Sequence, residues 1–198
     1  MELKRFLKDL SCEKPTPGGG SAAALAAALA ASLVAMVAGL SAGRDARTQK
    51  EIERIREKAG VMRERLLLAI TEDAQSFDAV MAAIRLPKDT ERERLYRSKM
   101  IQEAYRKASV IPKLVSEYSV TLLGFCAILI SKGNPNARSD AGVAAFLANA
   151  AMEGGALNVR VNLLAMRDKS FKRKMEVVLR RLKKEKDRRM AKTLEALN

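Results

Sequence analysis

The segment that most constrains the fold is PTPGGGSAAALAAALAASLVAMVAGLS, which runs from Pro15 to Ser41. Residues 22–40 carry no charge, and ten of these 19 residues are alanine. Alanine is the strongest helix former, and its small side chain lets neighbouring helices approach closely. Ser21 is predicted to cap a helix that ends near Gly39. We therefore expect this segment to be a tightly packed central helix.

Two alternatives for this segment are weaker. About 20 apolar residues can span a bilayer, but alanine gains little from lipid and no aromatic residues flank the segment. A glycine-rich turn before a helix can bind an anion. However, PGGGS lacks the Lys-Ser/Thr of a P-loop and the spacing of a dinucleotide-binding turn. We expect no membrane contact, and a loop that is either a ligand contact or a tight structural entry to the helix.

The rest of the chain also predicts helices. Aromatic residues make up only 4% of the sequence, and no alternating run of β-branched residues indicates a strand. We predict an all-α, multihelical up-and-down bundle with long kinked helices, forming a single domain over residues 1–198. Apolar residues recur every three or four positions in residues 2–11, 48–86, 90–131 (kinked or split around Pro112), 139–164 and the basic C-terminal segment 167–198.

The chain contains no histidine, which excludes Ser-His-Asp triads, Cys-His pairs and histidine-ligated metals. The two cysteines, Cys12 and Cys126, lie far apart without metal-ligand spacing. They are predicted to be free thiols in a reducing cytosol. The charged start MELKRFLKDL lacks the apolar core of a secretory signal. We therefore expect a cytoplasmic protein without a metal site.

The formal net charge is +14, and residues 167–192 alone contain 13 basic and 4 acidic residues. Such a segment is either a solvated helix face or an attraction for polyanions, such as nucleic acid, anionic lipid or a polycarboxylate substrate.

Three carboxylates interrupt apolar surroundings: Asp73 and Asp78 in TEDAQSFDAVMAAIRLPK, and Asp140 after NPNARS. Each is either an ordinary solvated or helix-capping charge, or an acid or base whose pKa rises because it faces the bundle interior. Asparagines are also frequent between residues 134 and 162. Asn158 and Asn162 are four apart and share a helix face, where a substrate could supply their hydrogen-bond partners.

With these residues assembled, the chain resembles the cyclodeaminase/cyclohydrolase family. That family comprises the C-terminal domain of formimidoyltransferase-cyclodeaminase and stand-alone relatives that act on folate one-carbon units. The resemblance implies a helical bundle, usually a homodimer, that binds a tetrahydrofolate with or without a polyglutamate tail and needs no metal or redox cofactor. It rests on the segments PTPGGGSAAALAAALAASLVAMVAGL, EDAQSFDAVMAAIRLPK and GNPNARSDAGVAAFLANAAMEGGALNVRVNL.

The resemblance implies one of two reactions. The cyclodeaminase converts 5-formimidoyltetrahydrofolate to 5,10-methenyltetrahydrofolate and ammonia, whereas the cyclohydrolase opens the methenyl bridge with water to give the 10-formyl form. Both pass through a tetrahedral carbon between two folate nitrogens and require proton transfer. The general acid/base is then Asp73 or Asp140. The implied substrate-binding residues are Pro17, Gly18, Gly19, Gly20, Ser21, Phe77, Lys88, Asn134, Asn136, Arg138, Ser139, Asn158 and Asn162.

Within this scheme the loop Gly18–Ser21 offers backbone N–H groups to the substrate. Asn134, Asn158 and Asn162 hydrogen-bond the pterin amide edge or orient the carboxylates. Lys88 and Arg138 pair with glutamate carboxylates of the folate tail. The alternative is a non-enzymatic basic helical module that binds nucleic acid or a protein partner. It accounts for the net charge, but not for PTPGGGS or the asparagines.

Overall fold

The structure is a computed structural model that describes residues 2–43 and 45–197. These residues contain no strand, which confirms the predicted all-α class. Successive long helices run up and down the bundle. The helices are α1 (Leu3–Leu10), α2 (Gly19–Gly39), α3 (Ala46–Ile84), α4 (Glu91–Ala108), α5 (Val110–Lys132), α6 (Arg138–Leu164) and α7 (Lys169–Leu197), with a 3-10 turn at Pro135–Ala137.

Helix α2 is the centre of the bundle and packs against α3, α5 and α6. The side of α2 that faces these helices is almost entirely alanine, and Ala24, Ala27 and Ala31 are fully buried. Small side chains allow three helices to close around α2 because their backbones can come near its axis. Two large side chains of α2, Leu29 and Met36, are instead exposed on the outside of the bundle.

The start of α2 differs from the prediction that Ser21 caps it. The helix begins at Gly19, with Gly18 at the N-cap position, so Ser21 lies inside the first turn. The Ser21 hydroxyl donates to the carbonyl oxygen of Ile70 on α3 at 2.9 Å. A buried tertiary partner has therefore drawn the hydroxyl away from its own helix end, which sequence spacing alone does not reveal.

The break predicted around Pro112 falls at Ser109, between α4 and α5. Pro112 lies in the first turn of α5, where a backbone N–H has no partner within the helix and its absence costs little. Helix α4 begins with a capping box, in which Thr90 Oγ1 accepts from Glu93 N and Glu93 accepts from Thr90 N.

Helices α5 and α6 make a close crossing at Gly155. A Cβ added at Gly155 would lie 2.6 Å from the carbonyl oxygen of Pro112 and 2.5 Å from Ser116 Oγ. Ser116 Oγ in turn donates to the carbonyl of Met152 on α6 at 3.2 Å. The absence of a side chain at Gly155 therefore allows this crossing.

The basic segment 167–198 is an integral part of the bundle and not a free tail. Leu179 and Leu182 of α7 are buried, and Arg189 Nη1 donates to the carbonyl oxygen of Val120 on α5 at 2.7 Å. Lys186 is also buried and pairs with Glu153 on α6 at 2.6 Å. The remaining cations of α7 cover its outer face.

By length and composition, Gly19–Gly39 and Glu91–Lys132 could each cross a membrane, and half of each apolar window is buried inside the bundle. The core helix of a soluble protein passes the same test, so the finding is weak evidence for a span. Both cysteines are free thiols, as predicted, and burial raises the pKa of the Cys126 thiol to about 12. Cys126 is therefore an inert core residue.

Candidate active site

A cavity of about 290 Å³ lies at the end of the bundle where α2 begins. This volume is close to the lower limit for sites that take small organic ligands. Four parts of the chain that are distant in sequence form its walls: the entry to α2, the second half of α3, the end of α4 and the end of α6. The lining residues are Pro15, Thr16, Gly18, Gly19, Gly20, Asp73, Ser76, Phe77, Val80, Met81, Tyr105, Ala108, Asn158, Val161 and Asn162.

Asp73 of α3 lies directly against the first turn of α2. Its Oδ2 accepts a hydrogen bond from Ser21 Oγ at 3.1 Å. A Cβ added at Gly20 would lie 2.6 Å from Asp73 Cγ. Only glycine at position 20 therefore lets the carboxylate reach the positive end of the α2 dipole in this geometry.

The half-buried Asp73 has a raised pKa. Loss of water around the carboxylate raises the pKa and is the larger effect, whereas hydrogen bonds from the Ser21 hydroxyl and backbone amide lower it. Desolvation disfavours the charged form of a carboxylate, so the group accepts a proton at a higher pH than an exposed aspartate. A carboxylate of this kind in a cavity suits general acid/base catalysis.

Asn158 and Asn162 lie on the same face of α6 and both line the cavity. Asn158 Nδ2 donates to the carbonyl oxygen of Gly154 at 2.8 Å, and Asn162 Nδ2 donates to that of Ala108 at 2.9 Å. These bonds orient both amide groups. Neither amide oxygen accepts a hydrogen bond from residues 2–43 or 45–197, so two acceptors remain for the donor groups of a ligand.

The apolar wall of the cavity contains two aromatic rings, Phe77 and Tyr105. Phe77 is 38% exposed, so its ring is accessible to a ligand in the cavity. Sequence analysis did not identify Tyr105, Val80 or Met81. Val80 and Met81 follow Phe77 by three and four residues, so helical spacing could have indicated them. Tyr105 is on another helix and gave no such indication.

The structure thus brings seven of the predicted site residues to one cavity, and Ser21 lies behind Asp73. Pro17 lines a separate cleft beside α1. Lys88 is exposed in the loop after α3 and does not line the cavity. Asp78 is exposed on α3. The seven lining residues are Gly18, Gly19, Gly20, Asp73, Phe77, Asn158 and Asn162.

The predicted residues Asn134, Asn136, Arg138, Ser139 and Asp140 lie at the opposite end of α2. Asn134 Nδ2 donates to the carbonyl oxygen of Leu40 at 3.0 Å. The 21 residues of α2 span about 31 Å, so these side chains do not reach the cavity of their own chain. Their participation in catalysis or binding stays a prediction.

These five residues form an ordered polar loop, which we call the distal loop. Asn134 Oδ1 accepts from Asn136 N at 2.9 Å, and Asn134 N donates to Ser41 Oγ at 2.8 Å. The Arg138 guanidinium donates to the carbonyl oxygen of Ala196 at the end of α7. The local hydrogen bonds give the loop a defined shape.

The polar groups of the cavity suit an organic ligand better than a metal ion. In the part of the chain that the structure describes, no three acidic or cysteine side chains cluster as metal ligands. The cavity instead offers one carboxylate, two amide oxygens, the first N–H groups of α2 and two aromatic rings. This set matches a flat heterocycle with several hydrogen-bonding edges.

Comparison with known proteins gives a consistent result. The profile of the family described as formiminotransferase-cyclodeaminase matches residues 2–181. This chain belongs to that family. The match covers most of the bundle and ends within α7, before its last residues.

Family members of known structure and sequence are similar over most of the chain. A methenyltetrahydrofolate cyclohydrolase of Methylorubrum extorquens is 38% identical over 85% of this chain and 82% of its own length. The formimidoyltransferase-cyclodeaminase of Rattus norvegicus is 32% identical over 87% of this chain, but this chain spans only 32% of that protein. The crystal structure of a formiminotetrahydrofolate cyclodeaminase from Thermotoga maritima superposes with a TM-score of 0.89 at 27% identity, covering 100% of this chain and 96% of that one.

Proposed function

We propose that this family member is a folate one-carbon enzyme that opens the bridge of 5,10-methenyltetrahydrofolate with water to give 10-formyltetrahydrofolate. The observation that carries the proposal is Asp73, a carboxylate of raised pKa at a cavity lined by amides and aromatic rings. The 38% identity to a cyclohydrolase over 82% of that protein's length favours this reaction.

Asp73 supplies the proton transfers of the reaction. Its carboxylate removes a proton from water as the water oxygen bonds to the bridging carbon, which gives a tetrahedral carbon between N5 and N10. The same group then returns the proton to N5 as the carbon–N5 bond breaks, and the hydroxyl proton leaves to solvent as the C=O bond of the formyl group forms on N10. A pKa raised by desolvation suits both steps, since the group must accept and release one proton.

The second candidate reaction is cyclodeamination, which the similarity to the Thermotoga maritima enzyme favours. In that reaction N10 attacks the formimidoyl carbon on N5, and the resulting tetrahedral carbon expels ammonia. The departing nitrogen takes up the proton that N10 loses, and Asp73 in its protonated form donates the second proton with which it leaves as ammonia. Both reactions make the same demand on the cavity: one carboxylic group beside a carbon that lies between two nitrogens.

The rest of the cavity holds the substrate. Asn158 and Asn162 accept hydrogen bonds from the pterin edge through their free amide oxygens. The N–H groups of Gly19 and Gly20 at the start of α2 offer donors to a substrate oxygen. Phe77 and Tyr105 pack against the flat rings. The proposal requires no metal or other cofactor. The exposed Lys88, in the loop that follows α3, pairs in this proposal with glutamate carboxylates of a substrate tail that extends out of the cavity.

We propose further that the chain is a homodimer. The outer sides of α2 and α6, which pack antiparallel to each other, form one face that we call the α2/α6 face. It carries large exposed apolar side chains and no charged residue from α2. Isologous pairing of two copies would cover this face on both. Its exposed apolar residues are Leu29, Met36, Leu40, Val143, Phe146, Leu157, Val161 and Leu164.

The α2/α6 face adjoins the cavity, because Val161 belongs to both. If two copies of α2 pack antiparallel across this face, the start of one α2 lies beside the end of the other. The distal loop of the partner then lies at the cavity. It brings there five side chains that do not reach the cavity of their own chain: Asp140, Asn134, Asn136, Arg138 and Ser139. Antiparallel packing also aligns the α2 dipoles favourably.

The direct test follows methenyl absorbance with the purified protein and two substrates. A cyclohydrolase removes the absorbance of 5,10-methenyltetrahydrofolate, and a cyclodeaminase creates it from 5-formimidoyltetrahydrofolate. We expect loss of methenyl absorbance well above the uncatalysed rate, and a smaller or no gain from the formimidoyl compound. Asp73→Asn serves as the matched inactive control. If neither substrate is turned over above background, the proposal is wrong.

A further inference from the structure

A second concave site lies far from the proposed folate cavity. It is a cleft of about 670 Å³ between the first part of α3 and the end of α5. Arg54 and Asp73 are 19 residues apart on α3, which places the two sites about 28 Å apart along the helix. No step of the proposed folate reaction uses the cleft.

One wall of the cleft is a row of cations on α3: Arg47, Lys50, Arg54 and Lys58. Their spacings of three and four residues put them on one face over about 16 Å. None of the four forms an ion pair with the residues that the structure describes. Unpaired cations focused in a concave site attract anions more strongly than scattered surface charges do.

The two acidic residues of the cleft, Asp45 and Glu51, each have a partner within the chain. Asp45 caps α3 by accepting from Thr48 N at 2.8 Å and from Thr48 Oγ1 at 3.0 Å. Glu51 pairs with Lys132 of α5 at 2.8 Å. Asp45 keeps its charge and partly offsets Arg47, whereas Glu51 is offset by Lys132, so the cleft, with five cations and two carboxylates, keeps a net positive charge.

The α5 wall is mainly apolar. Phe125 and Ile128 line it, and the ring of Phe125 is partly exposed, whereas Ile55 lies on α3 among the cations. A ligand that carries only charged groups would make no favourable contact with this wall. A ligand with a flat apolar part and a row of negative charges would use both walls, because the ring packs on Phe125 while the arginines grip phosphate oxygens in bidentate fashion.

We propose that this cleft binds a nucleoside polyphosphate, with the base against Phe125 and the phosphates along Arg47, Lys50, Arg54 and Lys58. The row of cations is long enough for a triphosphate and its ribose, and the cleft volume lies in the range for ligands of that size. Within one chain the site lies about 28 Å from the folate cavity, and no step of the proposed reaction uses it.

The test is titration calorimetry of the full chain at low ionic strength with ATP, inorganic tripolyphosphate and adenosine. We expect ATP to bind most tightly, tripolyphosphate more weakly, and adenosine more weakly still. Arg54→Gln/Lys58→Gln should weaken ATP at least about tenfold, because charge-assisted bonds to phosphate are lost. The matched control, Lys183→Gln/Lys184→Gln, removes the same charge from the exposed face of α7 and should leave the affinity for ATP unchanged.

Phe125→Leu tests the contribution of the base to binding separately from that of the phosphates. It should weaken ATP several-fold and leave tripolyphosphate unchanged. Equal affinities for ATP and tripolyphosphate, an equal loss of affinity in the two double variants, or no measurable binding of ATP would each overturn the proposal. Methenyl turnover in the same variants is expected to equal that of the unmodified chain, so a failure here is distinct from a failure of the folate proposal.

Discussion

Asp73 destabilises the fold at neutral pH for the same reason that it suits catalysis. Burial raises its pKa in the folded state above the value in the unfolded chain. The folded state therefore binds more protons than the unfolded state between those two pKa values. The free energy of unfolding must then fall as the pH rises through that window. Above the window, the charged carboxylate keeps the full cost of burial.

Asp73→Asn should lower turnover about 100-fold or more, the usual scale for loss of a general acid/base. The same substitution should raise the Tm at neutral pH, since a neutral amide does not carry the cost of burying a charge. Melting curves across the acidic and neutral range should show the Tm advantage of the variant shrinking as the pH falls below the raised pKa. A variant that keeps near-normal turnover would show that Asp73 takes no part in the chemistry.

Gly20 is the second residue on which the site depends, because it lets the Asp73 carboxylate lie close to the first turn of α2. Gly20→Ala should displace the Asp73 carboxylate from Ser21, because the new methyl group would occupy the position of the carboxylate. We expect a loss of turnover comparable with that of Asp73→Asn in a protein that still folds. The control is Gly60→Ala on α3, where no atom lies within 4 Å of the added Cβ. Control activity as low as that of the Gly20 variant would contradict this account.

Among the elements, the crossing of α5 and α6 is sensitive to a single methyl group. Gly155→Ala would press a Cβ against the backbone oxygen of Pro112, and a backbone cannot yield as a flexible side chain does. We expect a loss of about 1–3 kcal/mol in the free energy of unfolding, the usual cost of overpacking a core. Gly60→Ala, also inside a helix, should instead gain up to about 1 kcal/mol. Urea unfolding of both variants measures the difference, and equal effects would contradict it.

The helices themselves were predictable from the sequence, and their ends were less so. The periodicity of residues 48–86 correctly indicated α3 because an amphipathic pattern over many turns is a local property. The start of α2 was missed by three residues, since Ser21 bonds to Ile70 and Asp73 on α3. The split predicted around Pro112 falls at Ser109, because a proline is tolerated in the first helical turn and the new helix begins before it.

At the scale of the whole molecule, a shared active site can be tested by complementation. Equal amounts of Asp73→Asn and Asp140→Asn dimers, allowed to exchange subunits, would form mixed dimers in half of the population. If the distal loop of one chain serves the cavity of the other, each mixed dimer has one intact site and one doubly altered site. Activity should then return to about a quarter of the unmodified level.

A site contained in one chain would leave the Asp140→Asn protein fully active before mixing, because Asp140 lies about 31 Å from the cavity of its own chain. The required control is a variant of the α2/α6 face, Leu29→Glu/Phe146→Glu, whose two side chains are 48% and 54% exposed in the single chain. Light scattering should report a monomer for this variant and a dimer for the unmodified chain. A dimer that survives both charges would place the interface on another face.

The sequence by itself determined the all-α class, the order of the helices, and the grouping of Asp73 with Phe77 or of Asn158 with Asn162. These are contacts within one helix, where spacing fixes the geometry. Only the tertiary structure decided that GGGS meets Asp73 and the asparagines of α6, while the distal loop lies about 31 Å away at the other end of α2. Which end of one helix meets which end of another depends on direction, length and packing, and residue spacing along the chain does not encode it.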